Sequence, residues 1–175
     1  MNVDELRCPK WPDCPSCQLY ENEAFCLAMG RAVIALGHLQ FVLMVGVQRL
    51  IEWPDRGDPE IQTRAAASIT SGRPLGSTIS LFRELLEIKF QNLFEQPETE
   101  SLLQELSQTT RERNWFLHST FAADEDGAKL GLLRDITQSR TVTPGSLHEF
   151  SVQTSRLARR LDNLVDGAMP DSDQD

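Results

Sequence analysis

Apolar positions along this chain recur at helical spacing far more often than at alternating spacing. Met29, Val33, Leu36, Leu43, Val47 and Ile51 follow one another at steps of three and four, or their sum, and predict one long helix with an apolar seam. Asn22 carries the short polar side chain that caps a helix start, and Pro54 stops what precedes it, so the helix is expected to run to about Trp53. Gln40 falls in the middle of that seam. A polar group there must bond to a neighbouring helix or face a functional cleft. His38 points about 160° away from Gln40, on a polar stripe with Arg31 and Arg49, and reads as a surface histidine. The run from Ala32 to Val47 is the longest apolar stretch. It is short for a membrane span and is interrupted by His38 and Gln40, so it reads as a buried core helix.

A loop at Asp55–Pro59 precedes a weaker, alanine-containing helix from Glu60 to Ser71. The segment Ser71–Thr78 superficially suggests a phosphate loop, yet it lacks the lysine and spacing that phosphate cradling requires and reads as a plain turn. Ser77 or Thr78 then starts a helix through Leu81, Leu85, Ile88 and Phe90 to about Phe94. Pro97 opens the next, through Leu102, Leu103, Leu106 and Thr110. Asp124-Glu125-Asp126-Gly127 is a turn signal between 119–123 and 129–134, which predicts a small β-hairpin, and Thr141–Thr143 adds a short extended piece. Pro144-Gly145-Ser146 introduces a last helix with Leu147, Phe150, Leu157, Leu161 and Leu164 on its apolar side, while Arg156, Arg159 and Arg160 form a solvated face. The expected fold is all-α: an up-and-down bundle of about four to five helices with a small β-hairpin insertion.

At 175 residues, with 40% hydrophobic and 25% charged, the chain suits one soluble domain with a real core. Its net charge of −9 excludes a general, salt-driven nucleic-acid coat, which needs a basic face. Part of that charge sits in residues 168–175, where Asp171, Asp173 and Asp175 predict a disordered acidic tail. The N-terminus lacks a basic region followed by an apolar run, so no signal peptide is expected, and a cytoplasmic protein without membrane contact is. All four cysteines, Cys8, Cys14, Cys17 and Cys26, fall within nineteen residues of a Cys/Pro-rich N-terminal knuckle at residues 1–21 and its border. The Cys14-Pro15-Ser16-Cys17 turn can present two thiolates to one ion, and Cys8 and Cys26 complete a tetrahedral set for structural zinc. The second pair lacks C-x-x-C spacing, so reduced thiols stay open as a reading, and disulfide or redox chemistry less so.

The chemistry concentrates in Arg111-Glu112-Arg113-Asn114-Trp115-Phe116-Leu117-His118. On a helix Asn114 and His118 lie one turn apart on one face, and the long side chain of Arg113 can swing towards the same groove. With Arg113 at zero, Leu103, Leu106, Thr110, Leu117 and Phe121 cluster between about 20° and 80°, with Asn114 near 100° and His118 near 140°. The polar trio is therefore expected to border a buried stripe, with Trp115 and Phe116 pointing elsewhere. A histidine beside a fixed cation is the minimum equipment for cutting a phosphodiester without a metal. The same spacing also fits a helix-end cluster making surface hydrogen bonds.

Leu102-Leu103-x-x-Leu106 followed by Arg113-Asn114-x-x-x-His118 resembles the signature of HEPN (higher eukaryotes and prokaryotes nucleotide-binding) domains. These are helical bundles sharing an R-x(4–6)-H motif. The resemblance extends to a long first helix with a central polar residue, here Gln40, and to the helical layout over residues 22–167. It implies a metal-independent endoribonuclease acting as a homodimer. His118 would be the acid–base group, Arg113 the cation on the scissile phosphate and Asn114 the positioning residue, with Arg111 and Gln40 as RNA contacts. It further implies a bacterial toxin or antiphage (abortive-infection) effector, with an antitoxin or other regulatory protein as a possible partner. Members that have lost catalysis remain as dimerisation or docking modules, which is the alternative reading. One motif histidine per chain makes activity conditional on a second copy.

Overall fold

The structure is a computed structural model. It describes the backbone of residues 19, 22–53, 59–70, 72–124, 127–132 and 135–169, and their side chains except at 59, 61–63, 65, 66 and 117–138. The knuckle at 1–18, the loop after Trp53 and the tail beyond Met169 lie outside these residues. The described chain is mostly helical. Its elements are α1 (Glu23–Glu52), α2 (Pro59–Thr70), α3 (Leu75–Lys89), α4 (Gln91–Phe94), α5 (Pro97–His118), three strands β1 (Ser119–Asp124), β2 (Gly127–Leu132) and β3 (Asp135–Val142), and α6 (Pro144–Ala168). The strands form an antiparallel meander in the order β1-β2-β3, with Phe121 opposite Leu130 and Lys129 opposite Thr141, and a register shift at Gly131/Leu132. The third strand is longer than the short extended piece expected at Thr141–Thr143.

Two compact units divide the chain, one from residues 1–36 and 111–153 and the other from 37–110 and 154–175, so α1, α5 and α6 each contribute to both. In the second unit, Leu39, Leu43, Val47 and Leu50 of α1 are buried with Ile79, Phe82 and Leu86 of α3, Leu102, Leu103 and Leu106 of α5, and Leu157, Leu161 and Val165 of α6. Burying each such side chain contributes about 1.5–3 kcal/mol, so this cluster dominates the unit's stability. Gly46 permits close packing here: a Cβ at that position would lie 3.1 Å from Val165 Cγ2 and 3.4 Å from Phe82 Cε2. In the first unit, Phe25, Ala28 and Ala32 of α1 are buried with Leu19, Phe116, Val142 and Leu147. Phe116 and Phe150 meet edge to face at 5.0 Å between ring centroids and 66° between planes, the arrangement that the ring quadrupoles favour.

Local capping chemistry explains where the long helices begin and end. The Asn22 side-chain oxygen accepts a 2.9 Å bond from the Phe25 N–H, satisfying one of the donors that a helix start leaves open. At the other end of α1, Lys89 Nζ donates to the carbonyls of Leu50, Ile51 and Trp53 at 2.6, 3.0 and 2.5 Å. Partial burial draws the Lys89 pKa below the ordinary lysine value, while these three carbonyls reward the ammonium form. Helix α6 starts with a reciprocal box: Ser146 N–H donates to Thr143 Oγ1 at 3.1 Å, and Thr143 N–H donates to Ser146 Oγ at 3.0 Å. The turn after α2 uses Gly72 at φ 70°, which a side-chain-bearing residue adopts only with strain. The helix expected to run to Phe94 breaks at Phe90 (φ −137°, ψ 53°) and restarts as α4. No proline or glycine marks that break.

Helix α1 differs from expectation in phase. Val33 and Gln40 are exposed, and the buried line runs instead through Phe25, Ala28, Ala32, Ala35, Leu36, Leu39, Leu43, Val47 and Leu50. Gln40 therefore does not interrupt the buried seam. Among the described residues α1 alone is long and apolar enough to cross a membrane by length and composition, and 33% of its most apolar window is buried.

Phe82→Ala is expected to cost about 3–5 kcal/mol in chemical denaturation, because a fully buried ring leaves a cavity. Gly46→Leu should lose about 1–3 kcal/mol by overpacking against Val165. Lys89→Met removes the lysine bonds to the end of α1 and should lower the melting temperature by about 2–4 °C, the equivalent of roughly 1 kcal/mol at this chain length.

Candidate functional site

Among the described side chains, aromatic residues anchor the last two turns of α5. Phe116 is buried in the first unit's core, and Trp115 packs against that core partly buried. This corrects the expectation that Phe116 points away from the packed side: the ring is part of the core. Leu103 and Leu106 are buried as expected, and Thr110 is half-buried, its hydroxyl donating to the Leu106 carbonyl at 3.0 Å. The side chains of Leu117, His118 and Phe121 lie outside the described ones, but the backbone of α5 is helical through His118.

Around this anchor Arg113 is half-buried, whereas Asn114 and Arg111 are exposed. Arg113 Nη1 donates to Asn114 Oδ1 at 3.5 Å, a distance at the weak limit of hydrogen bonding. Among the described residues no carboxylate is paired with Arg113. A guanidinium has five N–H donors in a fixed fork, so most remain available to an incoming oxyanion. Glu112, between Arg111 and Arg113, instead accepts a short, charged bond from Arg140 of β3. That ion pair ties the end of α5 to the third strand. Nothing in the sequence announces it, since the partners are 28 residues apart in unrelated patterns.

The other expected site residues are placed separately. Gln40 is exposed on α1 and belongs to the second unit, whereas Arg113 and Asn114 belong to the first. His38 is exposed, as expected. Arg160 of the α6 basic face is engaged, with Nη1 at 2.7 and 2.8 Å from the two Glu105 carboxylate oxygens, while Arg156 and Arg159 are exposed. Of the cysteines, Cys8, Cys14 and Cys17 lie outside the described residues. Cys26 is exposed, and its thiol donates to the Leu19 carbonyl at 3.3 Å. Among the described residues no group of three or more His, Cys, Asp and Glu converges as a metal site would require.

No family model, curated protein or solved structure matches this chain.

Because the Glu112–Arg140 pair is partly exposed, its contribution is small. Glu112→Gln is expected to cost no more than about 1 kcal/mol in chemical denaturation. A loss several times larger would show that the pair holds the end of α5 in place.

Proposed function

We propose that the chain is a metal-independent endoribonuclease of HEPN type that works as a dimer in the cytoplasm, as a toxin or antiphage effector. The observation that carries this reading is that α5 continues without a break through Arg113 and Asn114 to His118. The helical repeat then keeps the guanidinium, the amide and the histidine on neighbouring positions of one element. The half-buried Arg113, with no carboxylate partner among the described residues, supports its role as the phosphate-binding cation. On this reading residues 22–167 form the catalytic bundle, with the strands after the motif as its insertion.

RNA supplies its own nucleophile, the 2′-hydroxyl. His118 takes the proton from that hydroxyl, and the oxygen attacks the adjacent phosphorus. Arg113 stabilises the charge that grows on the non-bridging oxygens, and Asn114 orients the phosphate or the imidazole. The leaving 5′-oxygen accepts a proton from the second copy's motif, so two protomers complete one acid–base pair. Arg111 and Gln40 serve as RNA contacts, and a regulatory protein, such as an antitoxin, restrains the activity. Cys8, Cys14, Cys17 and Cys26 hold one structural zinc outside the chemistry.

Total RNA incubated with the purified chain in excess chelator should be cut, and His118→Ala should reduce the rate by about 10²–10⁴-fold, the usual worth of a positioned acid–base group. Arg113→Ala should also abolish measurable cleavage. Intact RNA with a folded, dimeric wild-type protein would instead favour a non-catalytic docking module. Metal analysis of protein purified without chelator should find about one zinc per chain. A value near zero removes the zinc site without touching the nuclease reading.

A further inference from the structure

Between Arg111 and His118 the helical repeat of α5 sorts the residues onto two faces. With Arg111 at zero, Asn114 falls at about 300°, Trp115 at about 40° and His118 at about 340°, so these four positions share an arc of about 100°. Phe116, the buried residue of this segment, stands about 140° from Arg111 and turns that arc away from the core. On the arc Arg111 and Asn114 are exposed, and Trp115 is half-buried, packed against the first unit's core.

Trp115 is the largest apolar group on this face, and the fold leaves part of it in water. Among the described residues neither its indole N–H nor the Arg111 guanidinium has a hydrogen-bond or ion-pair partner. Glu112, the one carboxylate between Arg111 and His118, accepts from Arg140. Residues three and four apart on a helix stand about 5–6 Å apart at Cβ. A nucleotide can therefore lay its base on the indole while its phosphate meets Arg111 one turn earlier, with position 118 within the same reach. At a net charge of −9 the chain gains little from generic attraction to phosphates, so its affinity for RNA must come from contacts that charge repulsion does not erode. Stacking of a base on an aromatic ring is such a contact. Bases in a duplex are already stacked on one another, and only unpaired ones can be laid on an indole.

We infer that Trp115 is the base-stacking residue of the site, with Arg111 holding the adjoining phosphate, and that the substrate is RNA unpaired at the cut. This substrate class rests on the nuclease reading, but binding tests it without cleavage. The chain has three tryptophans, so full-length protein carrying Trp11→Phe and Trp53→Phe keeps Trp115 as its single indole. With His118→Ala added to keep the RNA intact, a short unpaired RNA of mixed sequence should quench the indole fluorescence. The same strand in a duplex should not. Anisotropy of labelled RNA on the His118→Ala chain, with its other tryptophans native, gives the affinities. Trp115→Leu keeps an apolar side chain and loses the ring face, and should weaken binding by about tenfold with an unchanged circular dichroism spectrum. Trp115→Phe should stay within about threefold, a rescue that packing alone does not produce. Arg111→Gln should lower the slope of log Kd against log salt by about one. Quenching by unpaired RNA without any cleavage by the wild type supports the stacking site and sinks the nuclease reading. Cleavage by the wild type with Trp115 unquenched, equal binding by Trp115→Leu, or equal quenching by the duplex overturns the stacking site and leaves the nuclease standing. Failure to bind or cut either form of RNA overturns both.

Discussion

Helix α1 carries more apolar surface than the rest of the described chain covers, and the organisation of the protein follows from how that surface is divided. Its thirty residues supply one buried line to each of two compact units. Phe25, Ala28 and Ala32 enter one core and Leu39, Leu43, Val47 and Leu50 the other. Hydrophobic burial is non-directional and scales with area, so it fixes which face is covered but not what covers the remainder. The remainder is a second stripe of large residues and glycines along the same helix. A helix that is apolar on two sides has two faces to cover, and among the described residues only one of them is covered.

The same economy shows at the end of α5. Among the described side chains, Phe116 and the partly buried Trp115 hold the last turns against the first unit's core, with Arg111 and Asn114 in solvent and Arg113 between. Glu112 is occupied by Arg140, so the segment's negative charge is spent on a strand and not on Arg113. Arg113 has no carboxylate partner among the described residues and stands beside an amide on a helix that continues to His118, which is what the proposed phosphate-binding role asks of it. The chain's net charge of −9 makes such a local cation more selective, since generic attraction to RNA is absent.

Much of this was legible before any coordinates. Asn22, Pro97 and Pro144-Gly145-Ser146 carry local chemistry that sets helix starts, and these three helices begin there. The phase of α1 was not legible. Its composition is apolar nearly all round, so several stripes fit equally well. The true buried line uses Ala28, Ala32 and Ala35, which a search for large aliphatics passes over. That error also misplaced Gln40, which is exposed. Phasing the motif helix on Leu103, Leu106, Thr110, Leu117 and Phe121 turns Phe116 away from the packed side, whereas the buried Phe116 ring belongs to the core. No proline or glycine marks the break at Phe90, and the Glu112–Arg140 pair joins segments 28 residues apart, for which no local pattern exists.

The central claim is that Arg113, Asn114 and His118 direct the 2′-hydroxyl of RNA onto its own phosphate. End-group analysis of RNA treated with the protein in chelator tests it most directly. The account predicts 2′,3′-cyclic phosphate and 5′-hydroxyl ends, with no cut at a position whose sugar is 2′-deoxy. Products bearing 3′-hydroxyl and 5′-phosphate ends, or cleavage that persists at the deoxy position, would contradict it.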